Sequence, residues 1–219
     1  MNLRAVLLLL LCCVGGLQAQ PAAKVDPKTA RMFDVQIRAA SAAYELRDFE
    51  KATKHLDEAE ALIPGKGETI NLRGAVFYKQ KKYDEAMACY QTLIAMDPNG
   101  SYPGYFNSAE VLLAQKKYDE ALALFERILE ARPADEACQL RIVLVLAYQG
   151  KMDEARRRAG KIPNPGQTAA YYFANAAIDL IAGKRSEGLA WIKKSEVFFP
   201  AETSTALRDV LVERELLPK

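Results

Sequence analysis

Apolar residues recur along much of this chain at spacings of three and four, the period of a helix that turns one face inward. Ile70, Gly74 and Phe77 form one such stripe, and Tyr105, Ala109 and Leu112 form another. After a short polar interruption each is followed by a second stripe, Ala86 and Tyr90 in the first case and Ala121 and Phe125 in the second. The pattern predicts helix, tight turn, helix. The wording also repeats: KQKKYDEAMACYQTLIAMDPNG from Lys79 and AQKKYDEALALFERILEARPAD from Ala114 are near copies.

Aligning the chain on itself extends the period in both directions. Ala52, Ala86, Ala121, Ala155 and Gly188 follow one another at 34, 35, 34 and 33 residues. Four residues after each stands Leu56, Tyr90, Phe125, Ala159 or Ile192, one turn along the same face. Pro64, Pro98, Pro133 and Pro200 close four of the units, since proline lacks the N–H that the helical ladder needs. The unit containing Ala155 departs: Pro163 arrives a turn early, which predicts a short second helix, and Ala159 is small where its counterparts are bulky. No unit of this size covers its own apolar face, so consecutive units must stack.

These residues resemble the tetratricopeptide repeat (TPR) family. INLRGAVF and YFNSAEVL are similar to the family's first helix, and DEAMACY and DEALALF to its second. The resemblance covers about 33–200 and implies an all-α fold: a right-handed superhelical solenoid of about five helix pairs. Units are expected over 33–66, 67–101, 102–135, 136–168 and 169–200, after a linker and helix start at 20–32. Asp26 is the expected N-cap of that opening helix, with Pro27 at its first position. Residues 201–219 read as a final amphipathic helix, with Ala206, Leu207, Val210 and Leu211 on one side; the expectation is that it caps the last pair, because solenoid ends need a polar outer face.

The first nineteen residues have a different character. Arg4 precedes the apolar run AVLLLLLCCVGGL, which is too short to span a membrane, and small residues follow. This is a signal-peptide pattern, with cleavage expected between Ala19 and Gln20. It implies an exported protein, periplasmic or secreted, most in keeping with a bacterial envelope. Removal of the signal leaves Cys89 and Cys138, too few for a disulfide framework, and the two are expected to remain unpaired.

Composition narrows the function. A net charge of +2 offers no basic excess for nucleic acid. His55 is the only histidine and has no ligand companion one turn away, neither cysteine lies beside a histidine, and PGKGET from Pro64 lacks the spacing of a phosphate loop. No catalytic residue, metal site or cofactor is expected. Lys79, Lys81, Lys82, Lys116, Lys117, Lys151, Lys184 and Arg185 fall at within-pair turns, but acids such as Asp84, Glu85, Asp119 and Glu120 follow and largely neutralise that edge. EARRRAGK from Glu154 reads as a solvated face.

The resemblance implies a concave groove that binds segments of other proteins. Rotating about 140° from each core stripe, at about 100° per residue, places Ile37, Ser41 and Tyr44, then Asn71, Ala75 and Tyr78, then Phe106, Glu110 and Leu113 on that side. Leu140, Leu144 and Ala147, followed by Ala174, Ile178 and Ile181, continue it as an almost wholly apolar half. The lysine and asparagine pattern that clamps a C-terminal carboxylate in related grooves is not supported. The sequence therefore reads as a non-enzymatic adaptor that holds an apolar or helical segment of a protein or peptide partner. The alternative is a structural role, with self-association into a homo-oligomer through the groove or a terminal helix. The apolar half should be covered in the working state, and the expected cover is a partner, with the last helix stacked beyond Pro200.

Overall fold

The computed structural model describes residues 25–218, and every regular element among them is helical. Five antiparallel pairs follow in chain order: α1 (Pro27–Glu45) with α2 (Phe49–Leu62), α3 (Gly67–Lys79) with α4 (Tyr83–Met96), and α5 (Tyr102–Ala114) with α6 (Tyr118–Ala131). α7 (Glu136–Tyr148) with α8 (Met152–Ala159) and α9 (Ala170–Ile181) with α10 (Arg185–Ser195) complete them. A 3₁₀ turn at Ala201–Ser204 leads into α11 (Thr205–Glu213). Each first helix packs on its own second helix, and neighbouring pairs join as α2 to α3, α4 to α5, α6 to α7 and α7 to α9. The expected signal peptide and its expected cleavage point lie outside the described residues.

Local sequence explains where these helices begin and turn. The Asp26 carboxylate accepts from the amides of Lys28 and Thr29 at the start of α1, with Pro27 directly after it. Asp48 and Asp135 cap α2 and α7 in the same way. Within each pair the chain reverses through one left-handed residue: Arg47, Lys81, Lys116, Gly150 and Gly183, with φ of 59°, 61°, 62°, 75° and 77°. The next amide then reaches back along the turn, as in Lys82 N–H to Phe77 C=O and Lys117 N–H to Leu112 C=O, and satisfies carbonyls at the end of the first helix.

The small anchors let the paired helices approach. Ala52, Ala86, Ala121 and Ala155 are completely buried. A Cβ on Gly74 would lie 2.6 Å from the Tyr90 ring, and one on Gly188 would lie 2.6 Å from Cγ of Leu180. The irregular fourth pair is repaired by a residue the repeat does not supply. α8 stops after eight residues, and Ile162, just beyond it, enters the core beside Ala159. The Glu136 carboxylate, buried at the start of α7, accepts from the amides of Gln167 and Thr168 and ties down the following loop.

One expectation is corrected. The final helix is present, but it does not continue the stack beyond α10 and leave the groove to a partner. It turns back across the concave side, where Arg214 meets Glu110 of α5 and Glu213 meets Lys79 at the end of α3. The physical reason lies in its two faces. Val210, Leu211 and Leu217 are buried in the same core cluster as Leu140, Leu144 and Ile178, while Glu213 and Arg214 find opposite charges farther along the concave side.

Candidate interaction surface

The concave side is built from the first helix of each pair. Ile37 is buried, and Ser41 and Tyr44 are half-buried beside it on α1. Asn71 on α3 accepts from the Asn107 side-chain amide on α5 at 2.9 Å, and Ala75 and Tyr78 lie half-buried farther along α3. Phe106 stacks on Tyr102, meets Phe125 edge-on, and carries the Arg141 guanidinium 5.2 Å from its ring centre. The anticipated apolar half is not an open surface: Leu113, Leu140, Leu144, Ala147, Ala174 and Ile178 are buried in a core that includes α11, and Ile181 is half-buried against it.

Glu110 is the polar centre of this surface. Its Oε1 accepts from Arg141 Nε at 2.9 Å and its Oε2 from Arg214 Nη2 at 2.7 Å. The three side chains retain only 14%, 13% and 12% of their exposure. Burial pushes the Glu110 carboxyl up, but the two guanidinium groups outweigh burial and hold it below the ordinary value. The Tyr78 hydroxyl, near this cluster, is raised first by burial and then by Glu110. Along the same helix, Tyr44, Glu45, Arg47, Phe49 and Lys79 surround Asp209, Val212 and Glu213 across an open recess. Burial, followed by the Glu213 charge, pushes Tyr44 up to about 12.

The sequence placed Glu110 on the concave side but gave no sign of its partners, which stand 31 and 104 residues away. The EARRRAGK face is solvated as read, with Arg156 and Arg157 exposed, yet two of its arginines also make ion pairs the sequence did not reveal. Arg156 donates at 2.8 Å to buried Asp179, which also accepts from Trp191 Nε1 at 3.0 Å, and Arg158 pairs with Glu126. His55 contacts Gln36 through Nδ1 at 2.7 Å, within the first pair. Cys89 and Cys138 are free thiols, both pushed up by burial, Cys138 to about 12. Among the described residues no cluster of His, Cys, Asp and Glu could hold a metal ion, and no helix is long and apolar enough to cross a membrane.

Comparison with known proteins agrees with this geometry. One family model described as tetratricopeptide repeat matches residues 37–101 and 71–136, and a second with the same description matches 112–177. Together they span more than half of the chain. It belongs to the tetratricopeptide repeat family. Among solved structures, this TPR chain is similar to a thermophilic TPR protein of Thermus thermophilus, at 21% identity and TM-score 0.66 over 84% of this chain and 100% of that one. It is also similar to a tetratricopeptide repeat protein from Parabacteroides merdae, at 20% identity and TM-score 0.65 over 80% and 69%. A third is PilW, a type IV pilus biogenesis factor, at 19% identity and TM-score 0.62 over 84% and 85%. At these identities the likeness establishes the TPR fold. A search of curated proteins gives no match.

Proposed function

We propose that this TPR protein is a non-enzymatic interaction scaffold whose concave side receives an amphipathic helix, and that α11 holds that place until a partner's helix replaces it. The Arg214–Glu110–Arg141 cluster carries this reading. A cation arriving on a short helix finds a buried carboxylate already oriented by Arg141, while Val210, Leu211 and Leu217 supply the apolar part of the fit. The partner segment should therefore present an arginine a turn beyond a pair of aliphatic residues, the helix-in-groove mode of recognition.

A labelled peptide of residues 201–219, titrated against the protein, tests the reading. Saturable binding that falls at least tenfold when the peptide carries Arg214→Ala supports it; equal binding of both peptides contradicts it. The apolar run before Leu17 supports an exported location, periplasmic or secreted. Intact mass of the exported protein should then correspond to a start at Gln20, and a retained N-terminus would refute export by that route.

A further inference from the structure

The outer side of α1 carries an apolar stripe that no other described element covers. Lys28, Met32, Val35, Ala39, Ala42 and Leu46 alternate at spacings of four and three, the seam of a coiled coil. Met32 is 45% exposed, Val35 57% and Leu46 81%, whereas Phe33, Ile37 and Ala40 of the same helix are buried. Val25, exposed just before α1, extends the row by a further step of three, whereas the other exposed large apolar residues, Met96, Leu189, Val197 and Phe198, lie on other helices or at their ends and form no comparable row along one helix. At nineteen residues α1 is also the longest of the described helices.

We infer that this stripe is a homodimer seam in which α1 of one protomer lies antiparallel to α1 of a second. Both size and charge select a second copy and this direction. With the twofold axis beside residue 37, Met32 falls opposite the partner's Ala42 and Val35 opposite the partner's Ala39, so each large side chain meets a small one. Lys28 falls opposite the partner's Leu46, its stem along the leucine and its ammonium free to reach outward. On the flank, Arg31 faces the partner's Glu45, an attraction that the symmetry makes twice. A parallel pair would instead set Lys28 against the partner's Lys28, with alanine on alanine at position 39. The unfavourable element of the antiparallel arrangement is Arg38, which meets the partner's Arg38 at the axis. Met32, Val35 and Ala39 lie on the opposite side of α1 from buried Ile37, while Glu45 at the end of the helix also borders the recess beside α11.

Sedimentation velocity over a wide concentration range, on protein purified from expression of the full chain, tests this. The expected result is a monomer–dimer equilibrium with a Kd in the micromolar range, short of the affinity of a large obligate interface. Val35→Glu should leave a monomer at every concentration with an unchanged Tm, because the site is solvent-exposed in the monomer. Arg31→Glu and Glu45→Arg should each weaken the dimer several-fold and the double exchange should restore it, while Arg38→Ala should tighten it. A wild-type protein that stays monomeric overturns the inference, and so does a dimer that survives Val35→Glu, which would point to exchange of α11 between copies. Failure of the double exchange to restore association overturns the antiparallel register.

Discussion

Arg214 and Glu110, 104 residues apart in the chain, meet at 2.7 Å on the concave side of the repeats, and the same carboxylate holds Arg141 at 2.9 Å. An isolated ion in so dry a place is strongly disfavoured, so each member depends on the others. The arrangement locks the end of α11 to the middle of the stack. It also makes the last segment of the chain part of the fold that precedes it.

Glu110→Gln removes the negative charge and leaves two guanidinium groups facing each other. Breaking a buried pair in this way costs about 3 kcal/mol. The loss should appear in urea unfolding as a lower midpoint. The pH dependence has a definite sign. Because the folded carboxyl is held below its ordinary value, its contribution is complete above that value and is lost as the solution is acidified through the lower, folded one. Stability of the wild type should therefore fall more steeply than that of Glu110→Gln below the ordinary carboxylate range. Parallel acid limbs would show that the cluster does not stabilise the fold.

The left-handed turn residues give a second prediction. Lys116 has φ 62° and Gly150 has φ 75° at equivalent turns. A side chain in this region costs about 1–2 kcal/mol, partly offset by the greater entropy that glycine loses on folding, about 0.5–1 kcal/mol. Lys116→Gly should stabilise by about 0.5 kcal/mol and Gly150→Ala should destabilise by a similar amount, although a Cβ at Gly150 would touch nothing within 4 Å. Calorimetric Tm values moving in the same direction for both variants would contradict a backbone origin.

Gly188 stands where four other units carry alanine, and its neighbours supply the reason. A Cβ there would sit 2.6 Å from Cγ of Leu180 and 3.2 Å from the carbonyl oxygen of Ala176. Gly188→Ala should lower stability by about 1–2 kcal/mol through overpacking, against the usual gain from alanine in a helix. A rise in Tm would mean that α9 and α10 can separate at no cost.

Much of this architecture was legible in the sequence, because a small residue followed four later by a large one marks a helix interface wherever it recurs. Pro163 likewise announced a short α8. The compensating role of Ile162 was not legible, since it lies beyond the end of α8 and outside the repeated register, yet is buried in the core. The position of α11 was hidden for a different reason. Val210 and Leu211 would serve a cap or a groove equally well, and the discriminating charge, Glu110, belongs to another unit. Arg156 and Asp179 illustrate the same limit: Arg156 is exposed as read, but its buried partner 23 residues away appears only in the fold.

The most direct test of α11 as a replaceable internal ligand is to fix it in place. Lys79→Cys and Glu213→Cys put thiols where the two side chains pair, and a short bismaleimide can join them in the full chain. Burial pushes the Cys89 and Cys138 thiols up, which favours selective reaction at the engineered pair. The measurement is binding of labelled peptide 201–219 to the open and the crosslinked forms. The account predicts saturable binding to the open form and its loss in the crosslinked one. Equal binding by both forms, or none by either, would contradict it.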